Sequence, residues 1–551
     1  MKKLAALLLA AALCFSIAGC TAPQTAQAGS LPLIPMPNGL VELDAERVAL
    51  PAVLGVDPGV FPMEFFEIYA QRAGVALSTE EPALLRAACN GNLPPEAYHL
   101  RVTQAQGIEI GAADERGLCW ALATLAALTD GGELPVCDIE DAPHYAYRGF
   151  MMDSARYFYP VEVIKTLIEL TSMVKYNTFH WHLTDDQGWR IESELFPALH
   201  QVQGQHELFP GEYYTQQEIR EVVEFARLRG MDVIPEIDVP GHVTAILAAY
   251  PALSCRELPV KVEAVPGIRS TIFCAGKEAV FELLFPLLEE IAGLFPSPYI
   301  HLGGDEAQKD EWNACPHCQD RLEAEGLADM EALQGWFIAQ LAKHLEGFGK
   351  QIICWNESLL SDYLLEQVPN LTIQYWAEAR VIGPPREFWE QGGDMIFSGE
   401  FGAYLDLPHG AVTLKKAYNY APATIGFKGK GLPAFGIEAC MWADYTSETQ
   451  ELARLTFPRA YALAEAAWTL PERKNYKNFR SRLGPWLERY PGLGFTSPVQ
   501  ADPKLFARWK ENIAFLIKLS KDFDGSKENN AGTAGKLHLR YTLHCAKEFF
   551  L

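Results

Sequence analysis

Basic residues are scarce in this sequence. Its 551 residues hold 46 Lys and Arg against 70 Asp and Glu, a formal net charge of −24. A nucleic-acid-binding surface displaces counterions with clustered positive charge, so that class of partner is excluded. Long apolar runs are scarce too. Past the first twenty residues no apolar run reaches the ~20 residues of a membrane span, which excludes a polytopic membrane protein. The composition of a collagen or a disordered chain is likewise missing. Hydrophobic residues make up 49% and charged residues 21%, the balance of a globular protein with a large core. At ~100–200 residues per domain, a chain of this length holds two to four domains. Aromatic residues are plentiful: 12 Trp, 21 Tyr and 29 Phe, whose faces suit flat, weakly polar ligands such as sugar rings.

The first twenty residues read as an address. Lys2 and Lys3 precede the apolar run Leu4 to Ile17, too short for a comfortable membrane span. The run ends in Ile17-Ala18-Gly19-Cys20, which resembles the bacterial lipoprotein cleavage box, where the Cys becomes the new N-terminus and carries the lipid. An ordinary signal peptide cut nearby is the other reading. Residues 1–19 are therefore expected to be removed, Cys20 to be lipidated and residues 20–30 to form a flexible tether. The expectation is an exported lipoprotein anchored to the cell envelope, its folded part extracytoplasmic. Ten cysteines lie outside this leader. Export permits disulfides without assigning them. Cys255 and Cys274 flank a loop and could pair. Cys315-Pro316-His317-Cys318 has the spacing of a redox or metal motif. One such pair is only half a zinc site, and no thioredoxin-like context surrounds it, which favours a structural bridge or two free thiols.

Residues 31–140 read as a small α/β domain. Tyr98 to Thr103 and Gly107 to Gly111 alternate like the arms of a hairpin, Gly117 to Leu128 is helix-like, and residues 138–144 form a polar, Pro-containing boundary. From Tyr147 short apolar runs recur, most followed by a helical pattern. The candidate strands cover 149–153, 178–183, 232–237, 299–302, 351–355, 371–376, 395–398 and 435–440. Helical spacing appears over 161–174, 217–229, 280–294 and 330–345. Eight βα units predict a (β/α)8 barrel over residues 141–480. Residues 481–551 read as a helical extension, with an apolar stripe from Phe506 to Leu519 and no placement for Gly525 to Leu551.

Each candidate strand begins apolar and ends polar or aromatic: Asp153 with Arg156, Asp185 with Asp186, Asp238 with His242, Asp305 with Glu306, Trp355, Trp376, Tyr404 with Asp406, and Trp442 with Asp444. Barrel active sites form at these strand ends. The sharpest motif is His301-Leu-Gly-Gly-Asp-Glu306. Adjacent acids repel unless each has its own task. Their Cα atoms are ~3.8 Å apart and successive side chains diverge. They therefore cannot face each other across one glycosidic bond, as the ~5–5.5 Å pair of an ordinary retaining glycosidase does. One is suited to general acid work while the other touches a different part of the substrate. Trp355, Trp376 and Trp442, at equivalent strand ends, suit an apolar box. His180-Trp181-His182 puts two imidazoles on one face, and with His242 and Asp305 it offers the alternative of an amidohydrolase-type metal site.

Asp153-Ser-Ala-Arg156, His180 to Asp186, Pro235 to His242 and His301 to Glu306 stand in the order seen in family 20 glycoside hydrolases, the β-N-acetylhexosaminidases. Tyr404-Leu-Asp406 and Trp442 fit as well, and the resemblance covers roughly residues 31–480. It implies an exo-acting enzyme that removes terminal GlcNAc or GalNAc with retention, the substrate's acetamido group attacking to give an oxazolinium. Glu306 would be the general acid/base, and Asp305 would bind the acetamide N–H. Tyr404 would hold the acetamide oxygen, and Trp355, Trp376 and Trp442 would enclose its methyl. Arg156, Asp406 and Asp444 would bind sugar hydroxyls, while Asp185, His242 and Asp238 would support the acids from behind. No cofactor or metal is implied. The partners would be a glycan ending in a β-linked N-acetylhexosamine and, through the lipid, a membrane. Two residues depart from the pattern: Asp444 stands where the family often has Glu, which bears on gluco or galacto preference, and Asn356 stands where an acid is common. A lacto-N-biosidase-type enzyme releasing disaccharides and a non-catalytic sugar-binding lipoprotein are the alternatives on the same scaffold.

Overall fold

The computed structural model describes residues 32–39, 41–201, 212–262, 266–376, 383–428, 434–444, 446–490 and 510–517. The leader, Cys20, the tether and the 525–551 segment lie outside these residues. No helix among the described residues is long and apolar enough to cross a membrane.

The chain opens with a seven-stranded mixed sheet. Its spatial order is Val41–Ala49, Glu133–Asp141, Tyr98–Thr103, Gly107–Ala112, Leu85–Cys89, Val53–Asp57 and Ala76–Ser78. The expected hairpin is its centre, with Tyr98 opposite Ala112 and Thr103 opposite Gly107. The helix Glu115–Leu128 covers one face, capped by Asp114, whose carboxylate accepts the Gly117 N–H at 2.8 Å. The segment around Asp138, expected as a boundary, is instead the end of a strand. Its charges are matched by side chains distant in sequence: His99 Nε2 lies 2.5 Å from Asp138, and Lys175 Nζ donates to Asp141 at 2.8 Å.

All eight candidate barrel strands form, and they close in sequence order into one parallel barrel. They are Tyr147–Asp153, Thr178–His182, Asp232–Glu236, Tyr299–His301, Gln351–Trp355, Thr372–Tyr375, Asp394–Phe397 and Gly436–Met441. Every residue of the first, second and eighth strands is buried. Their polar members, Arg148, His180, His182 and Glu438 among them, are buried with the apolar ones and are paired inside the fold. The helices Val161–Ser172, Gln216–Arg227, Glu278–Leu294 and Met330–Glu346 match the expected helical patterns. A capping box of Thr215 and Glu218 starts the second, and Asp329 caps the fourth through the Ala332 N–H. The fold is thus α/β: a (β/α)8 barrel preceded by a small α/β domain. Beyond the barrel the described residues hold one helix over Tyr476–Arg489 and another stretch of helix over 510–517.

Buried charge joins the two parts. Arg148, on the first barrel strand, is 1% exposed and donates to Glu96 of the small domain. Its guanidinium lies 5.6 Å from the Trp120 ring and 5.0 Å from the Trp468 ring. Glu96 also accepts from Trp120 Nε1 at 2.9 Å and Asn177 Nδ2 at 2.8 Å. Lys175 donates to Asp141 and, at 2.9 Å, to the Tyr98 hydroxyl. Breaking a buried pair by removing one partner leaves an uncompensated charge. Lys175→Met is therefore expected to cost about 3–5 kcal/mol of stability, read as a lower urea midpoint. An unchanged midpoint would remove Lys175 from this account.

Candidate active site

The fourth barrel strand runs into the turn Leu302-Gly303-Gly304-Asp305-Glu306. Gly303 and Gly304 have φ of 64° and 91°, the left-handed region open to glycine. A Cβ at position 303 would lie 1.8 Å from Asp238 Oδ1, so no larger residue fits. The turn is pinned from several sides. Gly304 N–H donates to Asp238 Oδ1 at 3.1 Å, Gln334 Nε2 donates to the Gly304 carbonyl at 2.7 Å, and Trp355 N–H donates to the Gly303 carbonyl at 2.8 Å. Glu306 and His242, neither of them glycine, hold φ of 47° and 52°. Backbone in that region costs of order 1–3 kcal/mol, and such strain gathers at functional sites.

His242 stands between the two acids. Its Nε2 lies 3.8 Å from Asp305 Oδ2 and 3.8 Å from Glu306 Oε2. Its Nδ1 faces Asp185 Oδ1 at 3.3 Å and Asp186 Oδ2 at 3.5 Å. Burial disfavours a charge on the ring, but Asp185, Asp186 and Asp238 outweigh it and hold the imidazole well above its ordinary range. Asp186 is anchored in turn by the Thr244 N–H at 3.0 Å and hydroxyl at 2.5 Å. Burial, together with Asp305 nearby, holds the Asp238 carboxyl well above the usual carboxylate range. Burial also pushes Asp305 up to about 6, against the opposing pull of His242. Asp305 Oδ1 is buried and has no hydrogen-bond partner among the described residues.

Arg156 is gripped by three carboxylates: Asp153 Oδ2 at 3.1 Å, Asp185 Oδ2 at 2.9 Å and Asp444 Oδ1 at 3.0 Å. Its guanidinium sits 4.9 Å from the Trp442 ring. Burial pushes Asp444 up to about 6 despite Arg156, with Asp153, Asp185 and Glu306 adding to the rise. Burial, then Asp444, pushes Asp406 up to about 8.

The aromatic residues form a row. Trp355 and Trp442 have ring centroids 5.8 Å apart, Trp442 and Tyr404 6.1 Å, and Tyr404 and Trp376 6.2 Å. The Tyr404 and Trp376 planes lie within 11° of parallel. Trp355 Nε1 donates to Glu236 at 2.7 Å, and Trp376 Nε1 donates to Glu357 at 2.8 Å. Asn356 Oδ1 accepts the Trp376 backbone N–H at 2.9 Å, so its amide positions one wall of the row.

Beneath the row lies a network that strand-end reasoning missed. Glu236 sits 3.1 Å from His180 Nε2, 2.5 Å from His182 Nδ1 and 3.1 Å from His301 Nδ1. His180 Nδ1 lies 3.0 Å from Glu438, which also accepts from Gln374 at 2.6 Å. Both ring nitrogens of His182 face carboxylates, the second being Asp185 at 3.0 Å. Burial opposes the charge on His180, yet Glu438 and Glu236 push it up to about 9. His180 and His182 thus neutralise carboxylates inside the barrel and do not join His242 and Asp305 in one ligand set. In the sequence this network showed as the period-two pattern of His180 and His182 and as Glu236 and His301 inside two of the ordered motifs, with nothing to join them.

The catalytic-domain model of glycosyl hydrolase family 20 matches residues 145–471, and the domain 2 model of that family matches residues 31–142. A beta-hexosaminidase of Porphyromonas gingivalis is 35% identical over 479 residues, 79% of this chain and 58% of that protein. The match therefore spans less than two thirds of that relative. A beta-hexosaminidase of Akkermansia muciniphila is 32% identical over 413 residues, 71% of this chain and 83% of the relative. The beta-N-acetylhexosaminidase structure from Bacteroides fragilis superposes with a TM-score of 0.75 at 31% identity, covering 83% of this chain and 95% of its own. The exo beta-N-acetylglucosaminidase of Vibrio harveyi, solved with N-acetylglucosamine, has a TM-score of 0.75 at 30% identity, covering 88% and 80%.

Proposed function

The chain belongs to glycosyl hydrolase family 20, and from that premise we propose that it is an exo-acting β-N-acetylhexosaminidase working through the substrate's own acetamido oxygen. One observation carries the proposal. Asp305 Oδ1 is a buried acceptor without a hydrogen-bond partner among the described residues, placed beside Glu306 in the turn that follows the fourth barrel strand. A buried polar atom left unpaired costs free energy, and the N–H of a bound acetamide is a group that would satisfy it. The acetamide oxygen then attacks C1 while Glu306 donates its proton to the departing glycosidic oxygen. The positive charge that develops on the oxazolinium falls to Asp305. In the second half Glu306, now a carboxylate, takes a proton from the water that opens the ring at C1. Two displacements at one carbon give retention.

The supporting side chains have matching tasks. The Tyr404 hydroxyl, which burial holds well above its ordinary value, remains a donor toward the acetamide oxygen. Trp355, Trp376 and Trp442 exclude water from the acetamide methyl. Asp444 and Asp406 face the sugar hydroxyls, with Arg156 fixing Asp444. The proposal includes export, lipidation at Cys20 and attachment to the cell envelope, resting on the leader sequence alone.

A panel of 4-nitrophenyl glycosides tests the function. Release of 4-nitrophenol is expected from the β-GlcNAc or β-GalNAc glycoside and not from the β-glucoside, with inhibition by a thiazoline mimic of the oxazolinium. Equal turnover of the plain glucoside would overturn the mechanism. The acid side of the pH profile adds a second check. Because Asp305 is pushed up to about 6, its carboxylate is present above that pH and lost below it. In the free enzyme, kcat/KM is expected to fall as pH drops through about 6. Full kcat/KM held down to the ordinary range of an exposed Asp would contradict the dry setting of Asp305.

A further inference from the structure

Four cysteines that the chemistry above does not use converge behind the active site. The Sγ atoms of Cys255, Cys274, Cys315 and Cys318 all lie within 4.8 Å of one another. Cys255 to Cys318 is 3.8 Å, Cys318 to Cys274 is 3.6 Å, and Cys274 to Cys315 is 3.7 Å. A disulfide would need about 2.05 Å. A tetrahedral centre with metal–sulfur bonds of about 2.3 Å sets neighbouring sulfurs about 3.8 Å apart. The three contacts also share members, Cys318 with two neighbours and Cys274 with two. Pairing into two S–S bonds does not account for such a chain of contacts, whereas one shared centre does.

We propose that Cys255, Cys274, Cys315 and Cys318 hold a structural zinc ion as a tetrathiolate. Four protein thiolates leave no open position, which is the mark of a structural rather than a catalytic site. Cys274, Cys315 and Cys318 are buried and Cys255 is half-buried, so the centre is closed to solvent on most sides. Cys315 and Cys318 stand at the start of the helix Pro316–Ala324, where the first-turn N–H groups favour negative sulfur. Gly276 brings the Cys274 segment against the other half of the site. A Cβ there would lie 2.0 Å from the His317 carbonyl oxygen, so the two backbones meet directly.

The position gives the ion a task. The Cys274 segment is tied to the loop of the third barrel strand by Phe273 N–H, which donates to the Pro240 carbonyl at 3.1 Å. Pro240 lies between Asp238 and His242. Trp312, three residues before Cys315, donates its Nε1–H to the Phe273 carbonyl at 2.7 Å. The zinc therefore staples the loop carrying Asp238 and His242 to the segment that follows Asp305 and Glu306.

The test is elemental analysis of the full chain, purified without a histidine tag, combined with intact mass under non-reducing conditions. About one zinc per chain is expected, released when an organomercurial blocks the thiols and detected by a chromophoric chelator. Cys255→Ser should lose that zinc, while Cys89→Ser, outside the cluster, should keep it. If Cys255→Ser fails to fold, exchange of the native protein with cobalt(II) decides, by the visible absorption of tetrahedral cobalt thiolate. Absence of that absorption, iron in place of zinc, or disulfide-linked peptides joining these cysteines in metal-free protein would overturn the proposal.

Discussion

Glu306→Gln is expected to lower kcat/KM about 10²–10⁴-fold on substrates with a poor leaving group, such as a second sugar. The loss is expected to shrink as the leaving group becomes more acidic, because an aryl oxide departs without being protonated. The physical reason is narrow: the substitution removes one proton and leaves shape and hydrogen-bonding capacity nearly intact. Glu306 is held in place by a strained turn and faced by His242 Nε2 at 3.8 Å, so the exchange of one oxygen for an amide nitrogen leaves its position set by the backbone. The measurement is a leaving-group series with wild type and variant in parallel. A uniform loss across the series would mean that Glu306 shapes the pocket and does not transfer the proton.

Asp305→Asn is expected to cost about 10²–10³-fold in kcat on every acetamido substrate, whatever the leaving group. Here the missing element is a negative charge at the point where positive charge appears. The amide can still accept the substrate N–H, so KM should move less than kcat. The two variants therefore separate the roles of adjacent residues by a different dependence on leaving group. A variant as active as wild type on β-GlcNAc substrates would remove Asp305 from the reaction.

The barrel could be read from the sequence because parallel strands buried on both faces announce themselves as apolar runs. Most strand boundaries differ from expectation by a residue at one or both ends, and the first barrel strand starts two residues earlier, at Tyr147. The small domain was less readable. Its hairpin and the helix Glu115–Leu128 stood out, whereas Val41–Ala49, Leu85–Cys89 and Glu133–Asp141 did not. Ala76–Ser78 has three residues, Leu85–Cys89 is rich in Ala, and Glu133–Asp141 carries Pro and acids whose partners are far away in sequence. Within the site, strand-end residues were found by their order along the chain. Asp186, Glu236, Asn356, Glu357 and Glu438 act through partners that only folding supplies. The cysteine cluster shows the same limit. Cys315 and Cys318 looked like half of a ligand set because the other half, Cys255 and Cys274, is split by eighteen residues and has no motif of its own.

The ion pairs that join the two parts of the chain bear on how the enzyme can be dissected. Glu96 and Asp141 supply the counter-charges for Arg148 and Lys175, and both cations belong to the barrel. A barrel expressed by itself would carry two naked positive groups, flanked by the unshielded indole of Trp468. The leading module is therefore no detachable accessory. It completes the electroneutrality of its neighbour, and any minimal catalytic fragment has to retain it.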